Sequence, residues 1–442
     1  MIDLVQHLIK PGPAVKLAAQ IEALVRNGRI APESLLPPVR TVAKTLKVSP
    51  GTAAAAYKAL RAQGIVSTDR RRGTRVLPRP SHRELTDTPA PPGTLDLQVA
   101  ELDPALLPEL KNIFASISPR SDRYGSTHVD PDLESRMRED FEADGIDGSH
   151  LVVLSGAIAA IYRALRACAA PGDKVAVEDP GFNEHHASVR AHGMIPVPVA
   201  VDDEGMLPQS LAQALRGGAR AIVLAPRFQS PTGAALTRAR AAALRTVLAA
   251  HPDVAVLLDD YCSLLAEAPY QDCVGRGRAR FLVVRSFNKT IAPDLRVAVA
   301  AADAETCDRL RREQWLADGW ISGYLQRVAA ASLASRSAQA TLVKARKTYT
   351  ARRETLLREL AARGIPAHGA TGLNVWIPVP GEADVVRGLL DRGFCVRAGA
   401  RYRLQSPPAI RVTITELQPH RAADLAEAVR EALGERTVGR GP

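Results

Sequence analysis

From residue 150 onward the chain alternates short apolar runs with longer amphipathic stretches. The runs are LVVLS (151–155), KVAVEDP (174–180), IPVPVAV (195–201), RAIVLAP (220–226), VAVLLDD (254–260) and RFLVVRSF (280–287). They are rich in Val, Ile and Leu and lack a two-residue alternation, the pattern of strands covered on both faces. Helical stretches such as IAAIYRALRACAA lie between them. The pattern predicts an α/β fold with a mostly parallel central sheet. In such sheets ligands bind beyond the carboxyl ends of the strands, so the residues after each run carry the functional information.

The first 80 residues read differently. AVKLAAQIEALVRN (14–27) sets Leu17, Ile21, Leu24 and Val25 on one helical face, and Asn27-Gly28-Arg29 supplies the stop. VRTVAKTL predicts a short second helix. KVSPGTAAAAYKALRAQG predicts a third, with Ser49 as N-cap and Pro50 at the first helical position, where its missing N–H costs nothing. Small residues at its start, Thr52 to Ala55, allow close approach to a groove. IVSTDRRRGTRVL then reads as two strands around Arg70, Arg71, Arg72 and Gly73. Two helices across a tight turn followed by a basic hairpin make a winged helix-turn-helix, whose second helix enters a major groove while the hairpin arginines meet phosphates or a narrow minor groove.

Charge sharpens this division. The chain has 442 residues and a formal charge of +11. Residues 1–80 hold 14 Lys and Arg against 4 Asp and Glu, while the remainder holds 44 against 43. A compact basic module on an otherwise neutral protein is the footprint of a double-stranded DNA partner. We expect a DNA-binding domain over 1–76 and a semi-rigid linker over 77–94, where LPRPSHRELTDTPAPPGT is dense in Pro, Ser and Thr. A second domain follows over 95–442, with a small C-terminal α+β subdomain from about residue 365. No run approaches the ~18 to 20 apolar residues of a membrane span, and the start of the chain lacks a signal-peptide pattern. The expectation is a cytoplasmic protein without a membrane partner. The five cysteines are scattered without a C-x-x-C pair, so no metal site is expected.

The strand ends carry the chemistry. Ser155-Gly156-Ala157 opens a helix, and free amides there can receive a phosphate. Gly181-Phe182 offers an aromatic plate for a flat ligand. Asp259, Asp260 and Tyr261 close the fifth run. A carboxylate buried at a strand end needs a cation, and a protonated pyridine nitrogen or a structural arginine would each serve. After the sixth run comes SFNKTIAPDLR, in which Lys289 is flanked by Ser286 and Arg296. From residue 95 onward the lysines are Lys111, Lys174, Lys289, Lys344 and Lys347, against dozens of arginines. A desolvated lysine can lose its proton and attack a carbonyl, which arginine cannot do. Phosphate cup, aromatic plate, carboxylate and amine together match what pyridoxal 5'-phosphate requires.

Two resemblances follow from these residues. Residues 18–66 with RRRGTRV resemble the winged helix-turn-helix of GntR-type bacterial regulators. That likeness implies DNA contacts at Arg40, Ser49, Thr52 and Gly73, beside the wing Arg70, Arg71 and Arg72. Pro50 stands where many relatives have a base-reading arginine. YGSTHVDPDL, LSGAIAAIYRAL, VEDPGF, SPTG, LDDY, SFNKTIAPDLR and AIRVTI, in this order over some 300 residues, resemble fold-type I aminotransferases. The likeness implies a Schiff base to Lys289, Asp259 on the pyridine nitrogen, Tyr261 on the phenolic oxygen and Phe182 over the ring. It implies phosphate contacts from Ser155, Gly156, Ala157, Ser286 and Arg296, with Tyr124 reaching across a head-to-tail homodimer, and Arg411 holding an α-carboxylate. Ser230 replaces the asparagine usual before Pro-Thr-Gly, and Asp130 stands where a glycine is usual.

The combination is similar to the MocR subfamily of regulators. It implies a transcription regulator that takes pyridoxal phosphate as effector or cofactor and answers to it, to another B6 vitamer or to an amino acid. The alternatives are an active aminotransferase with an accessory DNA module and a DNA-binding protein on an inert scaffold. Fold alone does not choose between them.

Overall fold

The computed structural model describes residues 10–62, 65–69, 73–76, 89–118, 123–124 and 129–438. Arg70, Arg71 and Arg72 and most of the linker lie outside the described residues. The chain divides into two compact units, residues 1–89 and, apart from residues 193–195, residues 90–442.

In the first unit α1 (Ala14–Arg26), α2 (Val39–Thr45) and α3 (Pro50–Ala62) precede an antiparallel hairpin of β1 (Val66–Asp69) and β2 (Gly73–Val76). The apolar face of α1 goes where its spacing demands: Leu17, Ile21 and Leu24 join Leu36, Val42, Leu46, Leu60 and Val76 in one core. Ser49 caps α3, its Oγ accepting the Thr52 amide at 3.0 Å. The Tyr57 hydroxyl donates to the Pro37 carbonyl at 2.7 Å, fixing α3 against the turn before α2. The small residues at the start of α3 divide their roles, since Ala53 is buried and Ala54 and Ala55 are exposed. Gly73 adopts φ +82°, a left-handed conformation that glycine reaches without penalty. A Cβ there would also press on Leu35 at 3.2 Å.

The second unit opens with β3 (Leu95–Asp96) and continues through β4 (Leu151–Leu154), β5 (Lys174–Asp179), β6 (Ile195–Asp202), β7 (Gly205–Met206), β8 (Ala219–Leu224), β9 (Ala255–Asp259), β10 (Phe281–Ser286) and β11 (Ala298–Ala302). β4 to β11 form one eight-stranded sheet in the order β4-β11-β10-β9-β8-β5-β6-β7. The neighbours β5, β8, β9 and β10 are parallel. β11 runs antiparallel between β10 and β4, which leaves β4 pointing the same way as β10. The carboxyl ends of β4, β5, β8, β9 and β10 therefore share one edge.

Two details depart from the sequence reading. AVAAA (298–302) forms β11 although alanine has little strand preference, because burial on both faces decides. β6 is only half buried along most of its length. It lies next to the end of the sheet, where Pro196 and Pro198 need not donate.

A smaller sheet orders β12 (Asn374–Pro378), β15 (Ala409–Thr413) and β14 (Arg397–Ala398). β13 (Phe394–Cys395) pairs in parallel with β3, so the start of the unit is drawn into this subdomain. Among the described residues no helix is long and apolar enough to cross a membrane.

Behind the end of β9 lies a buried ion network. Asp260, 1% exposed, accepts Arg227 Nε at 2.7 Å and Arg285 Nε at 2.9 Å. Arg285 also reaches Asp140 at 2.6 Å and pairs with Asp144, with its guanidinium over the Phe141 ring. Removing one member of such a network strands an uncompensated charge, at a cost of about 3–5 kcal/mol. Arg285→Leu is accordingly expected to lower the unfolding free energy obtained from denaturant titration by that much, and Arg285→Lys to recover part of it.

Candidate functional site

The tandem acids at the end of β9 face different surroundings. Asp260 takes the arginines. Asp259, 2% exposed, instead receives His185 Nε2 on Oδ2 at 2.9 Å. Its Oδ1 is buried without a hydrogen-bond partner. A buried carboxylate oxygen left open is costly, and a protonated ring nitrogen is a group that would satisfy it.

Lys289 lies just past β10 in a turn closed by the Thr290 and Ile291 amides on the Phe287 carbonyl. Its Nζ donates to the Ala100 carbonyl. Burial pushes its pKa below the ordinary lysine value, and Arg411 adds to this, while Cys262, Glu101 and Glu184 act in the opposite sense. The amine is thus nearer its nucleophilic form than an exposed lysine.

Ser286, buried at the end of β10, accepts the Asn288 amide at 3.3 Å. Gly156 adopts φ +124°, and a Cβ there would stand 2.8 Å from Asn288 Nδ2 and 3.0 Å from Arg296 Nη2. The helix Ala157–Cys168 that follows has no side-chain cap. Its first amides, Ser155, Ser286 and the Arg296 guanidinium are donors that could receive a phosphate dianion. Ser230 Oγ is a second buried polar atom without a partner. Two unanswered polar atoms and a cradle that a single methyl would fill fit pyridoxal phosphate.

Phe182 precedes the helix Asn183–Ala191 and stands edge-on to His185, centroids 5.2 Å apart. The Tyr261 hydroxyl donates to the Phe228 carbonyl at 3.0 Å, and burial raises its pKa well above the ordinary value. Arg411 on β15 is buried, donates to the Gln98 carbonyl and lies over the Tyr402 ring at 4.6 Å. Asp179 ties that region to β5 by accepting the amides of Leu404, Gln405 and Ser406 and the Ser406 hydroxyl. Tyr124 is 89% exposed and meets Trp320 edge-on at 5.3 Å. Asp130 caps the helix Pro131–Ala143 by accepting the Asp132 and Leu133 amides.

Sequence reasoning missed three residues. His185 holds Asp259, and its signal was an aromatic and a histidine three apart on a helix that begins at a strand end. Glu184 has a buried, unpartnered Oε2, and its charge reaches Lys289 and Tyr402. Glu178, 2% exposed, accepts the Ala225 amide on Oε2 at 3.2 Å. Burial raises its pKa to about 8, with the Asp259 charge adding to the shift. A neutral Glu178 spares Asp259 a second negative charge nearby.

In the first unit Arg40 is exposed, Thr52 is half buried with its hydroxyl 2.8 Å from Ser49 Oγ, and Gly73 opens β2. Among the described residues no cluster of His, Cys, Asp and Glu could hold a metal ion.

A winged helix-turn-helix followed by a fold-type I aminotransferase domain is the class that this architecture and site define. Comparisons agree. Residues 94–429 match the aminotransferase class I and II family, and residues 13–76 match the bacterial regulatory proteins of the gntR family. The chain is 37% identical over 409 residues to the vitamin B6 salvage pathway transcriptional repressor PtsJ of Salmonella typhimurium, covering 92% of this chain and 95% of that protein. It is 25% identical to the pyridoxine biosynthesis transcriptional regulator PdxR of Corynebacterium glutamicum, with 88% of each covered. The structure resembles the kynurenine aminotransferase of Pyrococcus horikoshii with TM-score 0.71 and 19% identity, over 78% of this chain and 91% of that one. The chain therefore belongs to the aminotransferase class I and II family, in the MocR arrangement with a gntR-type N-terminal domain.

The raised value of Glu178 has a consequence for stability. Between the ordinary 4.5 and about 8 the folded protein holds a proton that the unfolded chain has released. Stability is then fully present below 4.5 and falls as pH rises through about 8. Denaturant midpoints from pH 5 to 9 are expected to show that decline, and Glu178→Gln to flatten it.

Proposed function

We propose that this protein is a DNA-binding transcription regulator that takes pyridoxal 5'-phosphate at Lys289 and responds to a B6 vitamer or an amino acid. The observation that carries the reading is the open Oδ1 of buried Asp259, held by His185 within the same group of strand ends that presents Lys289. The likeness to PtsJ over nearly the whole chain supports the regulatory half.

When bound, pyridoxal phosphate supplies an aldehyde that condenses with primary amines and a ring that draws electrons from the product. The protein's own groups do the rest. Burial shifts the Lys289 amine toward its neutral form relative to an exposed lysine. His185 holds Asp259 in the orientation that leaves Oδ1 for a ring N–H. Ser155, Gly156, Ala157, Ser286 and Arg296 receive the phosphate, Phe182 lies against the ring, and Ser230 and Tyr261 serve its phenolic oxygen. Arg411 takes a ligand carboxylate as a two-pronged donor. The open helix start beside the phosphate group and the exposed Tyr124 support a head-to-tail dimer in which Tyr124 completes the partner's cup. Arg40, Ser49, Thr52 and Gly73, with the wing Arg70, Arg71 and Arg72, would meet operator DNA. A ligand moves the DNA-binding modules only through different affinity for their two arrangements.

Titration of purified protein with pyridoxal phosphate is expected to give a visible absorption band that sodium borohydride fixes, and Lys289→Ala to lack both. A wild-type protein without the band would overturn the cofactor reading. Steady turnover of amino acids with keto acids would favour the aminotransferase instead. DNA affinity is expected to fall steeply with salt, with a shallower slope for Arg71→Ala; affinity indifferent to salt would count against the basic module.

A further inference from the structure

Residues 97–103 pass beside Lys289 between two anchors. At one end the Leu97 amide donates to the Cys395 carbonyl and the Leu97 carbonyl accepts the Thr413 amide, both in the smaller subdomain. At the other end Asp103 accepts Arg352 Nη2 at 2.8 Å, and its amide donates to the Tyr349 hydroxyl at 3.1 Å. Leu97 and Leu102 are buried in the core of the unit. Between the anchors two main-chain carbonyls meet cations. The Gln98 carbonyl accepts Arg411 Nη2, and the Ala100 carbonyl accepts Lys289 Nζ. The Gln98 amide is fixed in turn on Asp96 Oδ1 at 2.9 Å.

These are the two groups that the proposed function gives to the cofactor aldehyde and to a ligand carboxylate. A carbonyl accepting from Lys289 Nζ favours the ammonium, which has no electron pair to attack with. Glu101 of the same segment acts in the same sense: burial lowers the Lys289 pKa, and Glu101 is among the charges that oppose that shift. The Gln98 carbonyl takes an Nη2 hydrogen from which Arg411 would build a two-pronged contact. One lysine on one carbonyl is an ordinary packing contact. Here carbonyls two residues apart hold both cations of the site.

We infer that residues 98–101 are an autoinhibitory strap, which holds Lys289 and Arg411 before the cofactor arrives and lets go when Nζ bonds to it. The inference rests on the cofactor reading proposed above. Condensation forms a C=N bond between Nζ and the aldehyde carbon, and the aldehyde oxygen leaves with both amine hydrogens as water. Nζ then carries at most one hydrogen, taken from solvent, and the phenolic oxygen beside the former aldehyde is there to accept it. The Ala100 carbonyl is left without its donor, which is unfavourable away from water. Residue 95 is the first after the linker, so the strap lies on the chain path to the basic module. A segment whose fit depends on the state of Lys289 gives a ligand the differential interaction that regulation requires.

The test follows hydrogen–deuterium exchange of peptides spanning 97–103 in the full-length protein, with the visible band recorded on the same samples. Adding pyridoxal phosphate is expected to speed exchange there about fivefold, the effect of one lost hydrogen bond. Lys289→Met, which removes the donor, is expected to show the fast rate with no cofactor added. Lys289→Arg, which keeps a donor and cannot condense, is expected to stay slow with and without pyridoxal phosphate. Three outcomes would overturn the strap: unchanged or slower exchange in wild type whose band has formed, a slow Lys289→Met, or a Lys289→Arg that pyridoxal phosphate accelerates as much as wild type. A missing band beside a fast Lys289→Met would fail the cofactor reading while upholding the contact between Lys289 and the strap.

Discussion

The second unit is organised around two adjacent negative charges that have been taken out of water. Asp259 and Asp260 are 2% and 1% exposed, and neither can stay ionised in a core without compensation. Because the backbone at the end of a strand sends successive side chains to opposite sides, the two acids meet separate partners. Asp260 is enclosed by Arg227 and Arg285, which extend the network to Asp140 and Asp144. Among the described residues Asp259 is hydrogen-bonded by the His185 ring and keeps one open oxygen. One acid secures the frame, and the other is left one hydrogen bond short for a ligand.

The site draws on both parts of the second unit. The groups proposed to hold the cofactor follow β4, β5, β9 and β10, strands of a single sheet with buried inner members. Arg411 and Tyr402 arise from the smaller subdomain, joined to β5 largely through Asp179 and four donors from residues 404–406. Leu373, Val375, Ile377, Ile410 and Val412 of this subdomain also share one apolar core with the central strands.

The electrostatic design of the two units also differs. The first carries nearly all of the chain's net positive charge on a small helical core, which suits a partner attracted at long range and released by salt. The second is close to neutral, and its buried ion pairs gather at Asp259 and Asp260, where they fix geometry. Among the described residues its buried polar atoms without a hydrogen bond include Asp259 Oδ1, Ser230 Oγ, Glu178 Oε1 and Glu184 Oε2, positions where the protein alone does not complete its own hydrogen bonding.

By itself the sequence determined the α/β class, the helix-turn-helix, and the order of groups at successive strand ends. These are local facts: Ser286, Lys289 and Arg296 lie within eleven residues of one another, Ser49 caps its own helix, and an apolar run declares a strand wherever it is placed. Tertiary structure decided the rest. His185 finds Asp259 across 74 residues, and Asp260 is held by arginines 33 residues before it and 25 after it. β11 is a strand because it is buried between two others, and Glu178 holds its proton because the fold removes it from water. Which of two identical neighbouring carboxylates receives an arginine and which is left for a ligand depends on contacts far apart in the chain, and hydropathy, spacing and local propensity contain no record of those contacts.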